Sequence, residues 1–345
     1  SNDGNAERSR AFAEALAAVV IKVSGEQRWL DHPAIVQALS DAQSYVEATS
    51  YDSARIVLSD EVEDGAVIGD RSGTVQTTPA SREQRYLNVN FAASLIDELL
   101  SQANIPVWDS NRPSVLVWIV LQNAEGERSL LTPDAETQVV EIMQQFAQER
   151  GLPIIFPLLD FEDQRSLSED TVWSLDQRAI TDASERYGAD SILTGRVHFT
   201  TDGELVGRWQ FIFQDQAEEF AVVDNDLRSY LYKPLDRATK QLADFFALLP
   251  ETSSQQIVQL RVEGIKNLSA YSALLTYVNN LGLVDSVITA GLDGERLDLR
   301  LGLLGDSQQL FDLIALDRDL LPIQSSLSTG RLPNIQSMLH YRWTR

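Results

Sequence analysis

The 345-residue chain has no cysteine, two methionines, three histidines and only four lysines. Without cysteine there are no disulfides, thiol nucleophiles or thiolate metal sites. Positive charge is also scarce, with 28 Lys and Arg against 51 Asp and Glu and a net charge of −23. No basic run occurs, so the phosphate neutralisation on which nucleic-acid binding depends is missing. Anionic lipid surfaces are disfavoured for the same reason. No stretch approaches the roughly 18 to 20 apolar residues that cross a bilayer, so no transmembrane segment is expected. The longest apolar run, VLVWIVL at 115–121, has the length of a buried strand. Signatures for phosphate loops, zinc proteases, EF-hands and nucleophile elbows are all absent, and no cofactor or metal is expected.

What the sequence does contain is a globular pattern, 43% apolar and 23% charged. Its length predicts two or three domains. Residues 1–108 read as an α+β domain of two helices followed by strand, strand, helix and strand. The first helix places Phe12, Leu16, Val19, Val20 and Val23 on one stripe and stops at Gly25. The second is PAIVQALSDAQSYV, from Pro33. Residues 60–82, rich in Gly, Asp, Ser and Thr, read as a mobile loop.

DSNRPS at 109–114 is a polar joint. After it, apolar strands at 114–122, 152–160 and 191–199 alternate with helices at 134–150 and 171–187. This predicts a three-layer α/β domain over 109–250 with a mostly parallel sheet. It ends in an antiparallel hairpin and a helix at 227–248. LPETSSQQ at 249–256 is a second joint. Residues 251–345 then read βαββαβ, the ferredoxin-like order of an α+β domain. SMLHYRW at 337–343 reads as an extra edge strand.

RYGADSILTGRVHF at 186–199 is the stretch nearest to a phosphate-binding pattern. A phosphate cradle needs its glycines between a strand and a following helix. Gly188 instead follows a helix and precedes a strand, the position of a left-handed helix cap. His32, His198 and His340 fall in separate regions, where capping and sheet positions account for them. Five tryptophans, Trp29, Trp108, Trp173, Trp209 and Trp343, are assigned to packing.

The carboxylates offer the one candidate site. DFEDQRSLSED places Asp160, Glu162 and Asp163 directly after a strand. Ligands of open α/β sheets bind outside the carboxyl ends of strands. The loop NAEGERSLLTPD, with Glu125 and Arg128, is expected to rim the same edge. The functional reading is a cation or partner-binding site, and the plain alternative is a solvated acidic loop. No residue is assigned a catalytic role. A carboxylate-dependent hydrolase of envelope polymers remains the alternative, and it predicts Asp160, Glu162 or Asp163 in a closed cleft with raised pKa values.

FAEALAAVVIKVSG, PAIVQAL, LNVNFAASLIDELLSQANIPVW, VWIVLQ and PLLDFED together resemble an uncharacterised proteobacterial envelope family, domain-of-unknown-function family twenty-sixty-six. The similarity runs from about residue 8 to residue 248 and is expected to continue through the C-terminal unit. YGADSILTGRV is more loosely similar to a fold of periplasmic assembly proteins: the TolB amino-terminal domain, CsgG, the lipoprotein activators of penicillin-binding proteins and the FlgT middle domain. These resemblances imply a non-enzymatic periplasmic adaptor or scaffold, its signal peptide removed, that binds an envelope or inner-membrane protein.

Overall fold

The computed structural model describes residues 2–57, 81–108, 111–123, 125–133, 137–200, 202–214, 216–247, 256–305, 307–316, 319–323 and 338–344. The chain is a mixed α/β protein, and its described residues form three separate sheets. Residues up to Ala17 together with Pro33–Leu99 form one compact unit, and Ala18–His32 with the chain from Leu100 form a second.

Helix α1 (Asn2–Ser24) buries Phe12, Leu16 and Val20, a strict four-residue spacing along one face. It ends at Gly25, whose φ of +76° suits glycine and where the Trp108 ring leaves no room for a Cβ. Helix α2 (Pro33–Ser40) is shorter than the expected second helix, and a 3-10 turn, Ala42–Tyr45, replaces its second half. The Ser40 and Ser44 hydroxyls bond back to the carbonyls of Gln37 and Asp41, the competition that makes serine a poor helix interior residue. Strands β1 (Val46–Val57) and β2 (Ser81–Phe91) form an antiparallel pair, followed by α3 (Ala93–Gln102). Of the loop expected at 60–82, Ser81 and Arg82 begin β2, and the rest lies outside the described residues.

In the second unit the chain runs β3 (Val115–Gln122), β4 (Arg128–Leu130), α4 (Thr137–Arg150) and β5 (Ile154–Ile155). It continues through α5 (Phe161–Ser166), α6 (Glu169–Trp173), α7 (Gln177–Ser184) and β6 (Ser191–Phe199), then β7 (Leu205–Phe213), β8 (Gln216–Asp224) and α8 (Leu227–Phe246). The sheet order is β4-β3-β6-β7-β8, with β5 beside the start of β3. The sheet expected to be mostly parallel is instead mixed: parallel pairing is confined to β3, β5 and β6, and the short connections to β4, β7 and β8 permit only antiparallel pairing. Side chains of β3 alternate between two cores. Val115, Val117 and Ile119 pack with α4 and α8, whereas Leu116, Trp118 and Val120 pack with α6 and α7. Three layers result, with β3 buried on both faces.

Two elements differ from expectation. The strand expected at 152–160 shrinks to Ile154–Ile155, because Pro153 and Pro157 have no N–H to give a ladder. The single helix expected at 171–187 is broken after Trp173: Leu175 takes φ +56°, and Asp176 starts α7 by accepting the Ala179 amide at 3.1 Å.

The C-terminal run is β9 (Gln256–Glu263), α9 (Leu268–Asn279), β10 (Val284–Asp293), β11 (Arg296–Leu303), α10 (Ser307–Ala315) and β12 (Leu320–Pro322), the βαββαβ order, followed by β13 (Met338–Trp343). The sheet order is β10-β11-β9-β13-β12. The extra strand is therefore internal and not at the edge. Buried Tyr341 and Trp343 hold β13 beside β9, and the three-residue β12, ending in Pro322, takes the edge.

Candidate functional site

The candidate carboxylates converge where the chain leaves β5. Asp160 caps α5, accepting the amides of Glu162 at 3.0 Å and Asp163 at 3.1 Å. Asp163 is 1% exposed. Its Oδ2 accepts the Leu159 amide at 2.8 Å and the Tyr187 hydroxyl, and its Oδ1 accepts Nη1 of Arg186 at 2.9 Å. Arg186 also donates from Nη1 and Nη2 to the two oxygens of Asp160, and lies 3.6 Å from Glu162 Oε2. The Tyr187 hydroxyl in turn accepts the Leu158 amide at 2.8 Å. The cation held by these carboxylates is thus the chain's own Arg186.

The electrostatics follow from this geometry. The Arg186 hydrogen bond, helped by the Asp163 amide, holds the Asp160 carboxyl well below the usual carboxylate range. Burial, and then the bond to Asp163, push the Tyr187 hydroxyl up to about 12. The carboxylate pKa runs opposite to what a general acid in a closed cleft requires. Among the described residues no group of three or more His, Asp or Glu is arranged to hold a metal ion.

What the network fixes is a stretch of backbone. Leu159 sits at φ +52°, a left-handed conformation unfavourable for leucine. Its amide is held by Asp163 and its carbonyl by Gln164 Nε2 at 3.0 Å. On either side, Leu158 and Phe161 project to solvent, 73% and 79% exposed. Tyr187 anchors the network to the core through an edge-on contact with Trp118, whose indole donates to Ser184 Oγ at 3.0 Å.

Glu125 and Arg128 stand apart from this cluster. Glu125 is exposed in the β3–β4 turn. Arg128 pairs with Asp170 at 2.6 Å and lies over the Trp173 ring. Arg128, without Glu125, lines a different feature, a cleft of about 400 Å³ at the carboxyl ends of β3 and β6, floored by Ile119, Val197, Leu205 and Leu231. Its polar edge is satisfied internally, since Gln122 donates to the Gly126 carbonyl and Asn123 to Glu127.

The RYGAD motif serves structure and the network together. Gly188 has φ +56° and ends a 3-10 turn, as a left-handed cap. Asp190 accepts the amide and hydroxyl of Ser114, both at 2.7 Å, tying the start of β6 to the approach of β3. Arg186, Tyr187, Leu158 and Phe161 are not among the residues expected at a site. The available signal is Pro157, which interrupts the strand and leaves Leu158 exposed while Leu159 packs against the core.

A family model described as Domain of unknown function (DUF8605) matches residues 1–109. It is a family of unknown function, as the sequence resemblance implied, but not the particular family named there. No curated protein matches the chain. Among solved structures the chain is similar to the LpoB C-terminal domain from Salmonella enterica at 11% identity, over 33% of this chain and 83% of that one, with a TM-score of 0.24. It is also similar to lipoprotein GNA1162 from Neisseria meningitidis at 10% identity, over 38% and 99%, with a TM-score of 0.22. Scores this low carry no weight for fold or function. No helix among the described residues is long and apolar enough to cross a membrane.

Proposed function

We propose that this chain is a non-enzymatic cell-envelope adaptor that binds protein partners, with Leu158 and Phe161 as contact residues. The observation that carries this reading is the pairing of two large exposed hydrophobic side chains with a locked backbone. Preorganised apolar anchors lose little entropy on binding and make efficient interface centres. Asp160, Glu162 and Asp163 then act as positioning residues for the partner contact. The hydrolase reading gains no support from a carboxyl group held below its ordinary range.

The same proposal includes a periplasmic location, an envelope or inner-membrane partner, and division of the chain at 108/109 and 250/251. The sequence resemblances to envelope families support the location and partner class, and the polar joints at 109–114 and 249–256 support the division. Affinity purification of the full chain from crosslinked envelopes, read by mass spectrometry, tests the reading. One stoichiometric envelope protein should be recovered and should be lost with Leu158→Ser/Phe161→Ser. A chain that captures none, or keeps its partner in the double variant, overturns it.

A further inference from the structure

Among the described residues the C-terminal sheet leaves one long strand edge unpaired. Other outer strands in this unit are blunted: β4 and β12 are three residues each, and β8 carries Glu218, Glu219 and Asp224. In contrast β10 has ten residues, pairs among the described residues with β11 on one side only, and is exposed along most of its length. Residues 286–292, SVITAGL, carry no charge, and Ile288 and Leu292 are 57% and 59% exposed. The register with β11 shifts at Val284/Ser286 and again at Thr289/Gly291. Between those irregularities Ser286–Thr289 runs in step with Leu299–Gly302. A free edge offers a row of amides and carbonyls that another extended backbone satisfies. Interruptions on both sides keep the matching run short, which blocks open-ended sheet growth.

Charge selects the occupant. Asp293 is taken by Arg296 at 2.6 Å, while Asp285 is exposed and has no ion-pair partner among the described residues. A second copy of the chain would bring another Asp285 and a further net charge of −23 to the same edge. We propose that β10 is a docking edge for a short extended segment of a partner protein, led by a basic residue and added as a sixth strand. This surface lies on a different sheet from Leu158 and Phe161 and does not depend on their role.

Hydrogen exchange on the full chain tests this with a capped peptide of one lysine followed by alternating threonine and valine, and a glutamate-led counterpart. The lysine-led peptide should slow exchange at Ser286–Thr289 by about tenfold or more and bind better than its counterpart. Asp285→Lys, an exposed change, should reverse that preference, and Ile288→Lys should abolish the slowing by both peptides. The proposal fails if these amides exchange unchanged, or if Asp285→Lys leaves the preference as it was. It also fails if they are already protected without peptide in proportion to protein concentration, since the occupant is then a second copy.

Discussion

The Arg186 guanidinium and the Asp160 carboxylate meet fork to fork, Nη1 to Oδ1 at 2.7 Å and Nη2 to Oδ2 at 2.8 Å. Such bidentate pairs combine charge with fixed geometry. The pair lowers the folded-state pKa of Asp160 beneath its ordinary 3.8. Its stabilisation is therefore present above that value and is lost as pH falls toward the folded-state pKa. Melting temperatures measured across acid pH should fall more steeply for the native chain than for Asp160→Asn, which keeps the capping oxygen. Parallel curves would show that the pair contributes nothing.

Beneath that pair, Asp163 bears the larger structural role because it is buried and accepts three donors. Asp163→Ala should cost about 2–3 kcal/mol, and Tyr187→Phe, which removes one hydroxyl from the same network, about 1 kcal/mol. Urea denaturation with an unchanged m-value measures both, and a reversed order would contradict the assignment of Asp163 as the hub.

The outward side chains should behave differently from the residues that hold them. Leu158→Ser with Phe161→Ser is expected to shift stability by no more than about 0.5 kcal/mol per site. A loss of several kcal/mol would mean that these residues pack within the fold, and would remove the basis for a contact role.

Glycines in the central sheet offer a fourth test. A Cβ at Gly195 would lie 2.5 Å from the Trp209 ring, and one at Gly207 would meet the Arg196 carbonyl at 2.7 Å as well as the Tyr230 hydroxyl. Either change to alanine should cost about 2–3 kcal/mol through overpacking. Gly291→Ala, where the added carbon meets nothing within 4 Å, is the control and should be near neutral. Thermal unfolding separates the two outcomes.

Much of the fold was legible because it rests on short-range patterns. The VLVWIVL run marked a strand buried on both faces, Gly25 and Gly188 marked turns with positive φ, and the C-terminal element order followed from periodicity. The site was legible only as a place. Asp160 and Asp163 were visible as acidic residues after a strand, but Arg186 and Tyr187 reach them from beyond α6 and α7, a convergence no local spacing encodes. Asp160 and Asp163 accept nearby backbone amides and Arg186, while Glu162 stays exposed at 3.6 Å from Arg186. Leu158 falls in the strand expected at 152–160 and Phe161 in the acidic stretch after it, because hydrophobicity alone does not distinguish a buried residue from a displayed one.

The insertion of β13 also governs how the C-terminal sheet can form in time. The β10–β11 hairpin closes through neighbouring residues, whereas β9 meets β13 only after a long intervening segment has been brought round. Distant parallel pairing is the slower event in a folding chain. Until it happens, the slot beside β9 is empty and Tyr341 and Trp343 lack their burial site. On that ground the sheet should assemble from its exposed β10 side inward, with the Trp343 indole buried last.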